Sequence, residues 1–269
     1  MIEQILLIAF LQGITEFLPV SSSGHLNLLH GLSIQPDQGL TMDVAVHMGT
    51  LVAVVIYNWR DITRMFLSFV TMGHQYREFY GVSVSALIAT IPVLIAGFFL
   101  NQQPALLEIL RSVEVIAWAT LIFGIILGIA DRSKGHRRFT TTSMIDAIFI
   151  GLAQVLALIP GTSRSGITMT AARGMGLSRR AAARFSMILS IPVILGSGVL
   201  KGLDLMAVGG GEKWVEITLA ALISMVVALA SINAMMAILQ RVGFMPFVIY
   251  RVILGLVLLG MVYSGMFSG

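Results

Sequence analysis

The chain is predicted to be an all-α polytopic membrane protein, with six transmembrane helices and two re-entrant helix-loop-helix hairpins arranged as an inverted-topology repeat. Three observations carry this. Of 269 residues, 57% are apolar and only 11% charged, against roughly 25% charged in a soluble domain, and the mean hydropathy is +0.92. Several apolar runs are each long enough to cross about 30 Å of hydrocarbon at about 1.5 Å per residue. Two further apolar segments are broken in their middles by Pro, Gly and Ser. The formal net charge of +4 reports orientation, through basic cytoplasmic loops, and is no nucleic-acid signal. A chain without cysteine has no disulfide framework, thiolate nucleophile or Cys-based metal site, which leaves Ser, His and carboxylates for chemistry.

The first apolar segment, about 2–30, superficially resembles a signal peptide. It has Glu3 in place of a basic start and carries Gln12 and Glu16 within the apolar stretch, so it is expected to be retained. Its centre is broken at Pro19-Val20-Ser21-Ser22-Ser23-Gly24. Spans follow at about 42–58, 82–100 and 114–131. The second broken segment, about 144–171, turns at Pro160-Gly161-Thr162-Ser163-Arg164-Ser165-Gly166, and spans follow at about 183–200, 215–239 and 247–265. Tyr57, Trp59, Trp214 and Tyr263 lie near span ends, as expected at a lipid interface.

Pro stops a helix and Gly permits the turn after it, so each broken segment can enter the bilayer, turn at mid-depth and leave on the same side. The spacing of Gln12, Ser21, Ser23 and Gly24 recurs in Gln154, Ser163, Ser165 and Gly166. One hairpin plus three spans per half makes the second half inverted, giving one membrane domain over 1–269 with repeats at about 1–132 and 143–269. The connections at about 59–81, 131–143 and 172–182 hold Arg60, Arg64, Arg77, Arg132, Lys134, Arg137, Arg138, Arg173, Arg179 and Arg180, so they are expected in the cytoplasm. The connections at about 101–113 and 201–214 are nearly balanced in sign, which places them and both termini outside.

An ionisable group at membrane depth costs several kcal/mol unless paired or hydrated, which makes Glu16 a functional candidate. Gln12 precedes it by one helical turn and shares its face. Ser21, Ser22, Ser23, Gly24 and His25 offer hydroxyls, flexible backbone and an imidazole at a new helix start, where free N–H groups favour an anion such as phosphate. Arg164, flanked by Ser163 and Ser165 with Thr168 one turn on, has a planar fork that fits two phosphate oxygens. Arg184 and Arg251 are open to topological or snorkelling explanations. His74 and His136 read as solvated loop residues, and Arg173, Arg179 and Arg180 as topogenic charges. His30 and His47 read as helix-packing or hydrogen-bonded polar residues rather than ligands, and the 16 methionines as membrane packing.

The stretches Gln12-Gly13-Ile14-Thr15-Glu16-Phe17-Leu18-Pro19-Val20-Ser21-Ser22-Ser23-Gly24-His25 and Pro160-Gly161-Thr162-Ser163-Arg164-Ser165-Gly166-Ile167-Thr168 resemble the two signature motifs of the BacA/UppP-type undecaprenyl-diphosphatases. The resemblance extends through Phe185–Pro192 and Tyr250-Arg251, covering essentially the whole chain. It implies a multi-pass bacterial inner-membrane hydrolase that converts undecaprenyl diphosphate to undecaprenyl phosphate, recycling the carrier lipid for peptidoglycan and conferring bacitracin resistance. The loop charges, by placing the basic connections in the cytoplasm, give the expectation of an active site facing the periplasm.

For hydrolysis of such a diphosphate the residue inventory makes Glu16, Ser22, His25 and Arg164 the expected catalytic residues. Ser22 would be the nucleophile, or a phosphate-positioning hydroxyl if water attacks. His25 would be general acid or base, with Glu16 orienting it or holding a cation. Gln12, Ser21, Ser23, Gly24, Gly161, Ser163, Ser165, Gly166, Thr168, Arg184 and Arg251 are the expected substrate-binding set. A Mg²⁺ or Ca²⁺ requirement fits a diphosphate, but the family often carries Glu where this chain has Gln12, which leaves Glu16 as the one carboxylate for such an ion. The expected partners are a polyprenyl diphosphate and membrane lipids, with a homodimer left open and no nucleic acid. The rival reading is a transporter or flippase for an anionic lipid, since inverted repeats meeting at the midplane are also transporter architecture. A purely structural subunit leaves Glu16 and Arg164 unexplained.

Overall fold

The computed structural model describes residues 2–31, 39–208 and 214–264, with side chains described at 3–29, 41–199 and 214–264. Twelve α-helices run through the described residues: α1 (Ile2–Thr15), α2 (Ser22–Gly31), α3 (Gly39–Tyr57), α4 (Trp59–Val70), α5 (Arg77–Leu100), α6 (Pro104–Leu110), α7 (Val113–Asp131), α8 (Met144–Val155), α9 (Arg164–Gly174), α10 (Arg179–Val208), α11 (Trp214–Arg241) and α12 (Met245–Tyr263). Among these residues the only strand-like pairing is one isolated bridge between Arg137 and Leu177. The polytopic all-α class is therefore as the sequence predicts.

Five helices are long and apolar enough to cross a membrane, and a sixth span is formed if α3 and α4 count as one element bent by 79°. That bend is a departure from the sequence reading, which places a connection over 59–81. Asp61, Met65 and Ser68 recur at helical spacing and are buried, so the stretch packs as α4 while Phe66, Phe69 and Val70 remain exposed. The basic residues that suggest a loop occupy the outer face of a helix. Helix α10 runs on to Val208, into the stretch read as a connection over 201–214; residues 209–213 of that connection, the side chains of 201–208 and the side chain of His30 lie outside the described residues.

The two halves pack reciprocally. The first helix of each broken segment lies on the second span of the other half, α1 on α11 and α8 on α5, while the third spans α7 and α12 pack together. Lipid is as apolar as Leu, so close packing rather than water exclusion holds such helices. Phe17 and Val20, from the first turn, are buried in one cluster with Met169, Met187, Met235 and Phe244, which anchors that turn inside the bundle.

At one end of the bundle the basic connections do more than set topology. Arg173 is only 2% exposed and donates to the carbonyls of Leu177 (2.6 Å), Asp131 (3.2 Å) and Ser133. Arg179 binds the Asp131 carboxylate through Nε (2.5 Å) and Nη2 (3.0 Å), and the backbone N–H of Phe244 donates to the same group. Arg137 binds Asp146 at 2.6 and 2.9 Å and the Met175 carbonyl at 2.8 Å. Arg173 is thus a buried tie from α9 to the end of α7 and to the connections at Ser133 and Leu177, where a surface charge was expected. His74 and His136 are exposed, as predicted.

Candidate active site

The first broken segment turns between α1 and α2. Ser21 takes the left-handed backbone conformation at φ 75°, rare for a residue with a Cβ. That geometry lets Ser21 Oγ accept from the Gly24 N–H at 3.2 Å, capping α2. The second segment repeats the device. After a 3-10 turn at Leu156–Leu158, Ser163 sits at φ 72°, and its Oγ accepts from the Gly166 N–H at 3.1 Å to cap α9. Both capping hydroxyls neighbour a second serine: Ser21 Oγ lies 3.5 Å from Ser23 Oγ, and Ser163 Oγ 3.1 Å from Ser165 Oγ.

The two turns meet. The Gly161 N–H donates to Ser21 Oγ at 3.1 Å and Ser165 Oγ donates to the Leu18 carbonyl at 2.8 Å. Gly161 has φ 93°, and a Cβ there would lie 2.5 Å from the Ile116 carbonyl oxygen, so only glycine fits. Across the junction Arg164 Nη2 donates to Glu16 Oε1 at 2.6 Å. The other carboxylate oxygen accepts from Gln12 Nε2 at 2.8 Å and from Ser22 Oγ at 2.9 Å. Arg164 Nη1 is held by the Ser186 carbonyl at 3.3 Å, and Ser186 Oγ accepts from Thr168 at 2.7 Å. A cavity of about 180 Å³ opens onto this group, its polar wall made by Glu16, Ser22, Ser23, His47, Ser163 and Arg164.

This arrangement has definite chemical capacity. A hydroxyl that donates to a buried carboxylate has its proton acceptor in place, which is what a serine nucleophile needs. A guanidinium and the N-termini of two helices face the same space and favour phosphoryl oxygens.

Not every expected residue comes together there. His25 Nδ1 is on the Ser21 carbonyl at 2.7 Å and its Nε2 on the Tyr250 hydroxyl at 2.5 Å, so Glu16 does not orient it and neither nitrogen points at Ser22. Arg251 is fully buried and donates to five carbonyls: Gly161 and Thr162 at 2.9 Å, Thr120 at 3.3 Å, Pro19 at 3.4 Å and Ala119 at 3.5 Å. It ties both turns to α7 from behind. Arg184 binds Asp61 of α4, away from the cavity. Gly24 and Gly166 permit close approach: a Cβ on Gly24 would lie 3.3 Å from Gly161, and one on Gly166 2.8 Å from Arg251 Nη1. Thr168 stands behind Arg164, bonded to its carbonyl at 2.9 Å.

His47, read from the sequence as a helix-packing or hydrogen-bonded residue, and Ser186, not singled out within the 185–192 stretch, also reach the site. His47 is an ionisable side chain within a span, the same signal that singles out Glu16, whereas Ser186 carried none. The residues present do not form a cation site. Both Glu16 oxygens are engaged by the guanidinium, the amide and the hydroxyl, and no group of three or more His, Asp or Glu suited to a metal gathers among the described residues. The single carboxylate expected to hold Mg²⁺ or Ca²⁺ is instead an ion-pair partner.

The family model described as bacitracin resistance protein BacA matches residues 5–257. The chain is 46% identical over 263 residues to a protein of Roseobacter denitrificans named undecaprenyl-diphosphatase, covering 97% of this chain and 98% of that one. Proteins of the same name from Hahella chejuensis and Nitrosococcus oceani are each 48% identical, over 97% and 94% of this chain and 98% and 96% of theirs. With the match spanning both turns and all the long helices, the chain belongs to the bacitracin resistance protein BacA family.

Proposed function

We propose that this membrane protein hydrolyses undecaprenyl diphosphate to undecaprenyl phosphate and inorganic phosphate, recycling the carrier lipid. The observation that carries the reading is the Ser22–Glu16–Arg164 contact set at the junction of the two turns. The name shared by the relatives supports it.

In this reading the terminal phosphoryl group enters the cavity with its oxygens toward Arg164 and the N-termini of α2 and α9, which offset the charge that develops there. Ser22 Oγ attacks phosphorus and gives its proton to Glu16. The bond to the bridging oxygen breaks and lipid phosphate leaves. Water then attacks the phosphoserine, Ser22 recovers its proton from Glu16, and inorganic phosphate is released. Gln12 holds the carboxylate, Ser23, Ser163 and Ser165 line or brace the cavity, and Thr168 steadies Arg164. Ser21, Gly24, Gly161 and Gly166 shape the turns. His25, Arg184 and Arg251 act by position, not by contact with substrate.

The two turns related by spacing and capping geometry support an inverted repeat with hairpins meeting at mid-depth, in the bacterial inner membrane. The basic ends of α5, α7, α9, α10 and α11 support a cytoplasmic placement of that face, with the cavity opening to the periplasm. Because bacitracin binds the same substrate, overproduction of the chain would confer resistance.

The test is phosphate release from undecaprenyl diphosphate by purified protein in detergent, with Ser22→Ala and Arg164→Gln alongside and with chelator in parallel. Release by the wild type that is lost in both variants supports the reading. No release by folded wild type, with or without Mg²⁺ or Ca²⁺, replaces it with anionic-lipid transport.

A further inference from the structure

A second recess, of about 690 Å³, shares no lining residue with the catalytic cavity and lies where α7, α10 and α11 end. Five cations line it, Arg132, Lys134, Arg173, Arg179 and Arg180, against one carboxylate, Asp131. That carboxylate is already engaged: Arg179 holds its two oxygens at 2.5 and 3.0 Å, and the Phe244 N–H donates to it at 3.1 Å. The carbonyls of Asp131 and Ser133, which would repel an anion, are covered by Arg173. Arg132, Lys134 and Arg180 are exposed and form no ion pair among the described residues. The N-terminus of α10 opens on the same wall, capped where Ser178 Oγ accepts from the Ala181 N–H at 3.3 Å, and adds its positive dipole end.

This convergence is more than topology requires. Orientation in the membrane depends on how many basic residues a face carries, and Arg60 and Arg64 supply that from the outer face of α4, over the rings of Trp59, Tyr76 and Phe79. Around the recess the chain is fixed in place. The Arg137 N–H donates to the Gly176 carbonyl at 3.0 Å, and the Ser178 N–H to the Arg137 carbonyl at 2.9 Å. A Cβ on Gly135 would lie 2.5 Å from the Leu177 carbonyl oxygen, so the basic connection is packed directly on the one that leads into α10. We propose that the recess is an anion site for the phosphate group of an acidic phospholipid in the leaflet at that face. Three spanning helices end there, which sets it at headgroup depth, and basic recesses between such helices hold anionic headgroups. The phosphate sits among Arg132, Lys134 and Arg180, whose charges no protein carboxylate offsets. A soluble phosphate shares this chemistry, and experiment tells the two sources apart.

The test is native mass spectrometry of the purified full chain in detergent, comparing bound phosphatidylglycerol with phosphatidylcholine of the same acyl chains. The wild type should retain phosphatidylglycerol preferentially. In Arg132→Gln/Lys134→Gln/Arg180→Gln its affinity should fall on the order of 100-fold, at about fivefold per basic residue. Arg60→Gln/Arg64→Gln/Arg77→Gln removes the same charge elsewhere and should bind like the wild type. Arg132→Lys/Arg180→Lys keeps the charge in the recess and should also bind, which separates lost charge from lost fold. Inorganic phosphate, against chloride at equal ionic strength, is the second arm, read as a rise in melting temperature. A rise that is lost in the recess variant, without any lipid preference, overturns the phospholipid as the source and assigns the site to soluble phosphate. No preference for either anion in the wild type, or an equal loss in the control variant, overturns the anion site. Hydrolysis is not read in either arm, so failure of the phosphatase reading leaves the outcome unchanged.

Discussion

Arg164 Nη2 lies 2.6 Å from Glu16 Oε1, joining residues 148 positions apart, with only 13% and 7% of their side-chain surfaces exposed. A buried pair of this kind adds little net stability, but removal of one partner leaves an uncompensated charge. Arg164→Gln and Glu16→Gln are therefore each expected to abolish phosphate release and to lower stability by about 3–5 kcal/mol. The double variant neutralises both charges and should recover much of the thermal stability with no activity. Thermal unfolding in detergent, read beside phosphate release, separates the two effects; a double variant as unstable as the worse single one would contradict the pairing.

Arg251 makes a contrasting prediction. With five carbonyl acceptors and no acidic partner among the described residues, it braces both turns against α7. Arg251→Met leaves the Thr162 carbonyl buried without a donor, and the Gly161 carbonyl with only the Thr120 hydroxyl at 3.4 Å, at about 1–3 kcal/mol for each bond lost. The melting temperature should fall by about 5–10 °C. Activity should fall with it and recover in part on cooling, which the loss of a substrate-binding charge would not do. Measurement of turnover at two temperatures beside the melting curve decides between the roles.

The legible part of the site was the part that physics makes expensive. Glu16 and Arg164 stand out because a charge at membrane depth needs a reason, and the broken helices stand out because Pro and Gly interrupt apolar runs. The partners of His25 and Arg251 were not legible, because a Tyr hydroxyl 225 residues away and bare carbonyls leave no pattern along the chain. His25 therefore looked like an acid-base group when its ring instead links the first turn to α12. Helix α4 was hidden because Arg60 and Arg64 resemble a topogenic loop until the burial of Asp61, Met65 and Ser68 reveals a helical face. Arg173 misled in the same way, since a buried tie and a surface charge share one letter.

The acid side of the stability profile is expected to depend on Asp146, which lies in the capping turn of α8, outside the long spanning helices. Burial opposes its ionisation, but hydrogen bonds from Arg137 and from the Ser143 backbone and hydroxyl prevail and hold its carboxyl below the ordinary 3.8. A carboxyl depressed on folding stabilises fully above the unfolded value, and that contribution is lost as pH falls through the folded value. The melting temperature should therefore drop below about pH 3.8. In Asp146→Asn that part of the drop should be absent, and the variant should start less stable at neutral pH. Melting curves from pH 3 to 7, on the order of one per half unit, would show an unchanged acid limb if the expectation is wrong.

Ser21 and Ser163 test whether the two turns are the same device. Each holds a left-handed backbone, at φ 75° and 72°, and caps the helix that follows. Replacement by Ala loses the cap, about 1 kcal/mol, and keeps the Cβ in an unfavourable conformation. Replacement by Gly loses the same cap but relieves about 1–2 kcal/mol of backbone strain. At Ser163 the Gly variant should thus be close to wild type and the Ala variant clearly less stable. Ser21 Oγ also receives the Gly161 N–H, so Ser21→Gly strands a donor from the other turn and should be less stable than Ser163→Gly. The difference between Ala and Gly should nevertheless match at the two positions, because it reports backbone strain alone. Unequal differences in melting temperature would mean that the two turns share a sequence pattern without sharing a conformation.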